Sequence, residues 1–229
     1  MLLENIRVFI SPKEVLRYQG YKEGLHKKSD RINQLLEGVV QEGYRLIRPK
    51  ALVAMVGVKE VGDTSLRLEN GLLLNIENSL KVWKGLEQLA VALCTIGSLL
   101  EGRVSELFAR GDYAEALMLD SVGTVAVRSV ADQVNAHICQ TSVAQGMSAG
   151  SMLSPGERWD LADQRGLLAL LESQTIGVSL TEQCMMVPQK SVSFCVGVGR
   201  EVAPQRRTHS CERCSLKDCQ YRKAEYISA

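Results

Sequence analysis

Aromatic residues make up only 5% of this 229-residue chain, which leaves little for base-stacking platforms. An excess of one charge is missing too: 27 Lys and Arg stand against 26 Asp and Glu, for a formal net charge of +1. No overall field therefore points to nucleic acid or to an anionic membrane. No apolar run approaches the roughly 20 residues that a membrane-spanning helix needs. Residues 1–10 carry Glu4 and Arg7 inside their apolar stretch, unlike a signal peptide, so a cytoplasmic location is expected. Internal repeats and low-complexity tracts are also absent. Gly197-x-Gly199 lacks the third glycine and the following helix of a dinucleotide fingerprint. No Ser/His/Asp or Cys/His arrangement stands out for nucleophilic catalysis. His26 and His137 are isolated, and His137 reads as a partly buried helix residue rather than a base.

What is present is the composition of an ordinary globular protein, 45% hydrophobic and 23% charged, in a chain long enough for a real core. Ser11-Pro12-x-Glu14 has the form of a capped helix start, with a stop near Gly20. A second helix is expected from Ser29-Asp30 to the stop at Pro49. At residue 51 the apolar period changes. Residues 51–58 read as a strand, and residues 65–68 and 72–76 flank Asn70-Gly71, a strong hairpin-turn signal. Residues 86–96 read as a buried strand, entered through a short helix over 79–85. Helices follow over 98–109 and 112–143, the longer one interrupted by Gly123, for which a packing reason is expected. Residues 146–156 read as a loop, 160–173 as a helix and 191–198 as a last strand. The pattern predicts one α+β domain over residues 1–202, built on a twisted antiparallel sheet with long helices, and a small Cys-rich appendage over 203–229.

Chemistry concentrates in two places. Ser154-Pro155-Gly156 is a turn of small residues whose backbone a ligand can approach closely, although its composition equally suits an ordinary helix-entry loop. Met185 and Met186 suit a core, and Ser191 and Ser193 alternate with Val192 and Phe194 as on the solvent face of a strand. Asp120 and Asp132 read as surface charges on the long helix. The other place is the tail. There Cys211-x-x-Cys214-x-x-x-x-Cys219 stands beside His209, Arg206, Arg207, Arg213 and Arg222. Two cysteines two residues apart chelate one metal without strain, and neighbouring positive charge favours thiolates. An iron–sulfur cluster, zinc and free thiols all remain open, with His209, Cys184 or Cys195 as a fourth ligand. In a reducing compartment all seven cysteines are expected as thiols or metal ligands.

The order Ser154-Pro155-Gly156, a helix through Leu171, Gly177, Thr181-Glu182, Met186-Val187-Pro188 and Ser191-Val192-Ser193 resembles the activation domain of cobalamin-dependent methionine synthase. The resemblance is close over about fifty residues, and residues 14–18 and the region of Asp120 and Asp132 are similar to stand-alone members. It implies a domain that holds S-adenosylmethionine in a shallow groove and docks over a corrinoid carried by a partner. An electron donor reduces the cobalt there, and the sulfonium methyl is transferred to it. By position Ser154, Pro155 and Gly156 would contact the ligand through their backbone. Glu182, Met186 and Ser191 would support the groove or face the corrinoid. The chain departs from the family at two places: the Arg two residues before the turn is Met152, and the Tyr after it is Glu157. The carboxylate fork of that Arg is therefore missing, and Arg158 is the nearby cation. The expected function is reactivation of a methionine synthase, or of the corrinoid protein of an anaerobic methyltransferase system. The alternative is an iron–sulfur or zinc module for docking or electron delivery that has lost the ligand.

Overall fold

The computed structural model describes residues 1–21, 29–76, 83–156 and 159–204. Two helices come first: the short α1 (Pro12–Tyr18), after strand β1 (Leu2–Leu3), and the longer α2 (Asp30–Leu46). Both start where the sequence indicates. Ser11 Oγ accepts from Glu14 N and Ser29 Oγ from Ile32 N, which satisfies amide groups that a helix leaves unpaired at its start.

The sheet has seven antiparallel strands among the described residues. These are β1, β2 (Lys50–Val61), β3 (Leu66–Leu68), β4 (Leu73–Leu74), β5 (Gln88–Thr95), β6 (Ser148–Leu153) and β9 (Ser191–Gly199). Their order is β4-β3-β2-β5-β9-β6, with β1 also on β2. A separate pair is formed by β7 (Ser179–Leu180) and β8 (Met186–Val187). The β3–β4 hairpin turns at Gly71, whose φ is +88°, and Asn70 Oδ1 accepts from Leu72 N, the chemistry that Asn-Gly predicts. The short helix expected over 79–85 falls largely outside the described residues.

Alternation along the central strands divides the core in two. Ala90, Ala92 and Cys94 of β5, with Phe194, Val196 and Val198 of β9, face the helices. On that side α4 (Tyr113–Ala144) packs with α1, α2 and α3 (Leu99–Arg110). Leu89, Val91 and Leu93, with Cys195, face the β3–β4 hairpin and α5 (Gln164–Leu170) on the other side. Because β5 and β9 are covered on both faces, they carry almost continuous apolar sequence.

Close approaches explain glycines the periodicity cannot. A Cβ on Gly123 would meet Leu100 Cδ2 at 2.8 Å, the packing reason expected for a helix-interior glycine. Gly197 serves the second face, because a Cβ there would stand 2.4 Å from the Trp83 ring. The indole thus lies flat on β9 and donates from Nε1 to Ser151 O at 2.9 Å, fixing β6 beside it.

One expectation is overturned. Residues 148–153, expected within a loop, form an edge strand paired with β9. Ser-Ala-Gly-Ser-Met-Leu has no β-branched residue, so partner and position make this strand, not propensity. A register shift between Ala149 and Met152 marks the irregular pairing. The expected helix over 160–173 is shorter: a 3-10 turn, Leu161–Asp163, leads into α5, and a second, Ser173–Ile176, follows it.

Candidate functional site

β6 pairs with β9 alone among the described residues, which leaves backbone groups along its outer edge. Leu153, its last residue, stands opposite Cys195, and the chain then leaves the sheet through the 154–156 turn. Gly156 has φ +87°, a conformation strained for any residue with a Cβ. Among the described residues a Cβ there would touch Leu161 Cδ1 alone, at 3.6 Å. Gly156 N donates to Trp159 O at 3.0 Å and closes the turn. The Trp159 backbone bridges Ile76. Its ring is buried, with the indole N–H lacking an acceptor among the described residues.

The chain is then anchored at two points. Asp160 Oδ1 accepts from Ala162 N at 2.9 Å, starting the 3-10 turn. Asp163 accepts from the backbone and side-chain amides of Asn75 at 2.6 and 3.2 Å, tying α5 to the β3–β4 hairpin. Gln164 is 3% exposed and faces two ways. Its Nε2 donates to Cys184 O at 2.7 Å, while its Oε1 accepts from Ser193 Oγ at 3.0 Å. Arg165 adds a donor to the carbonyl of Glu182. These bonds hold the turn between β7 and β8 against β9. Within that turn Thr181 Oγ1 accepts from Met185 N at 3.1 Å, and Cys184 takes φ +63°.

The expected site residues separate into groups. Ser154 and Pro155 are half-buried and Gly156 is exposed, all at the end of the edge strand. Glu182 is exposed, and Met186 is half-buried on β8, paired with Leu180. Through α5 the structure links this second turn to the first. Ser191 lies apart from them: it is buried at the start of β9 and its hydroxyl donates to Thr95 Oγ1 at 2.9 Å. Ser193 is buried as well, so neither serine lies on a solvent face. Met185 is 58% exposed rather than in the core. Met152 packs against the helix-side cluster and brings no cation to the turn, while Glu157 and Arg158 lie outside the described residues.

Asp120 accepts from Lys190 Nζ at 2.8 Å, and Asp132 pairs with Arg128 at 3.4 Å, so both are engaged within the fold. Asp120 also borders an open concavity with Arg103, Glu101 and Gln189, where Glu101 already accepts from Gln189 N. His137 is half-buried on α4. Cys211, Cys214, Cys219 and His209 lie outside the described residues. Among the described ones no group of three His, Cys, Asp or Glu can hold a metal. Cys195 is buried in the apolar cluster, where desolvation pushes its thiol up and opposes the thiolate a metal needs. No helix among the described residues is long and apolar enough to cross a membrane.

Gln164 and Trp159 are the residues that sequence reasoning missed. A polar residue at the start of a helix and an apolar one before it carry no spacing signal, and only the folded contacts distinguish them.

No family model and no curated protein matches the chain by sequence. Among solved structures, it is similar to a crystal structure of the MetH reactivation domain bound to AdoHcy. The TM-score is 0.60 at 13% identity, over 86% of this chain and 77% of that one. The fold is that of the MetH reactivation domain. A mixed helical and antiparallel architecture of this kind is what the sequence pattern predicts.

The residues of the 154–156 turn fit an adenosyl ligand in one respect and depart in another. Bare backbone at Gly156 and a Ser154 hydroxyl without a partner among the described residues leave room and hydrogen-bonding capacity. Met152, two residues before the turn, offers no positive charge for a ligand carboxylate.

Proposed function

We propose that the chain binds S-adenosylmethionine at the 154–156 turn and supports reductive remethylation of a corrinoid carried by a partner protein. The carrying observation is the fold shared with a reactivation domain crystallised with AdoHcy, combined with the exposed, left-handed Gly156 just beyond the edge strand β6 of this chain. When bound, the ligand supplies an electrophilic methyl on its sulfonium. The chain supplies placement. The turn's backbone and the Ser154 hydroxyl hold the ligand, and the Gln164 bonds keep Glu182 and Met186 at its side. Ser191, through Thr95, keeps the start of β9 in register behind them. The partner is a methionine synthase without its own activation domain, or the corrinoid protein of an anaerobic methyltransferase system. A separate donor supplies the electron. Cys211, Cys214 and Cys219 would bind iron–sulfur or zinc. Iron analysis and absorbance at about 400 nm on protein kept from oxygen test the cluster.

Titration calorimetry with S-adenosylmethionine tests the central claim. Saturable binding is expected, and Gly156→Ala, which forces a Cβ into left-handed backbone, weakens it by about ten-fold. A second reading draws on Met152: the chain has kept the fold as a docking or electron-delivery module without the ligand. Absence of binding by the unsubstituted protein favours that reading and removes the first.

A further inference from the structure

After β9 the chain follows a built path. Gly199 ends that strand opposite Ser148, the first residue of β6. A Cβ on Gly199 would collide with Gly85 O, and one on Gly85 with Glu201 Cβ, so segment 199–202 passes only between glycines. Arg200 N donates to Glu87 Oε1 at 2.9 Å and fixes the passage. Val202, 2% exposed, then lies over β6. A Cβ on Gly150 would stand 3.0 Å from Val202 Cγ1 and 2.7 Å from Trp83 Cδ1. Ala203 and Pro204 are exposed beyond it. Residues 205–229 therefore start from beside the edge strand, not from the end of β9. Val202 shares its cluster with Leu153 and Trp159, so this start lies on the face of the sheet that carries the 154–156 turn.

We propose that the outer edge of β6 is a docking surface for the chain's own residues 205–229, which brings Cys211, Cys214 and Cys219 to the ligand turn. Sheet edges are normally covered, or guarded by charge, proline or a bulge. Apart from its register irregularity β6 carries none of these guards: Ser148-Ala-Gly-Ser-Met-Leu153 has no charged residue and no proline. Among the described residues that edge has no strand partner, and nothing on it repels Arg206, Arg207 and Arg213. The reach suffices. Four residues of strand separate Gly150 from Ser154, a distance of about 13 Å. Cys211 follows Val202 by nine residues, a span of up to about 30 Å. The contact itself needs no ligand. Its consequence rests on the function proposed above, in which the thiols and any metal they hold stand beside the adenosyl ligand and the docked corrinoid.

Photo-crosslinking in the full chain tests the docking. A benzophenone amino acid replaces Ser151, exposed on β6, or, as control, Tyr113, 62% exposed at the start of α4. Irradiation should join position 151 to peptides from residues 205–229 within one chain, and position 113 should give no such product. Equal yields from the two positions overturn the docking. So do products from position 151 that join only two separate chains, which would assign the edge to a second copy. Ser151→Lys sets a like charge against the basic segment. Tryptic cutting after Arg206, Arg207 and Arg213 should then speed up about ten-fold, since cleavage follows the population of the released segment. A thermal midpoint unchanged by the substitution separates release from unfolding, and an unchanged cutting rate overturns the docking. Calorimetry with S-adenosylmethionine on the unsubstituted chain decides the function independently. Crosslinking without ligand binding removes the proposed function and leaves the docking; ligand binding without crosslinking removes the docking alone.

Discussion

Cys94 and Cys195 lie on neighbouring strands, β5 and β9, and face opposite sides of the sheet. Burial pushes the Cys94 thiol up to about 12, from an ordinary value of 9.0, and raises Cys195 as well. Both thiols are therefore protonated in the folded chain where an unfolded one would already ionise. Below pH 9 the two states hold the same proton and nothing changes. Above it the unfolded state releases a proton that the folded state keeps. Stability then falls by roughly 1.4 kcal/mol per pH unit for each such thiol. Urea midpoints between pH 9 and 11 should decline, and the decline should be shallower in Cys94→Ala. An equal slope in the two proteins would show that Cys94 is not held protonated. Whether a cysteine is inert was not legible in the sequence, where Cys195 is as plausible a ligand as any. Burial, a tertiary property, decides it. Ser191 and Ser193 teach the same lesson: alternation suggests one exposed side, but a strand covered on both faces has none, and each hydroxyl needs a partner of its own.

Elements were most legible where capping or turn chemistry is local. Ser11, Ser29 and Asn70-Gly71 each solve a backbone problem within three residues, so the solution is written beside the problem. β6 was illegible because its reason to exist is β9, over forty residues away in sequence. Two glycines of α2 make the same point in energetic terms. Gly38 is exposed and a Cβ there meets nothing within 4 Å among the described residues, so Gly38→Ala should stabilise by up to about 1 kcal/mol through helix propensity alone. On Gly43 a Cβ would stand 2.4 Å from Val122 Cγ1 of α4. Valine in a helix has one strongly preferred rotamer and cannot turn aside, so Gly43→Ala should destabilise by about 1–3 kcal/mol despite the same propensity gain. Urea unfolding of the two variants checks the opposite signs. Stabilisation by both would mean that α2 and α4 do not approach as described.

For the whole molecule, the sheet separates two kinds of work. Its helical face is closed by α1, α2, α3 and α4, with the largest run of buried apolar side chains in the described chain. On its other face lie the turns on which the proposed site is built, and apolar side chains reach solvent at one of them. Met185 is 58% and Val187 45% exposed, next to a turn that Gln164 and Arg165 pin in place. A rigidly held, exposed apolar rim on the face that carries the proposed site is suited to meet the proposed corrinoid-bearing partner, since association gains from burying such side chains without first ordering them. Met185→Glu should then separate two activities. The residue makes no core contact whose loss would unfold the chain, and its side chain takes no part in the 154–156 turn, so thermal midpoint and S-adenosylmethionine affinity should be nearly unchanged. The rate at which a partner's corrinoid returns to its methylated form, followed by absorbance, should fall at least about ten-fold, because a carboxylate at the interface must be desolvated without a partner. Weakened ligand binding in Met185→Glu would place Met185 in the ligand site. An unchanged reactivation rate would move the docking surface elsewhere on the molecule.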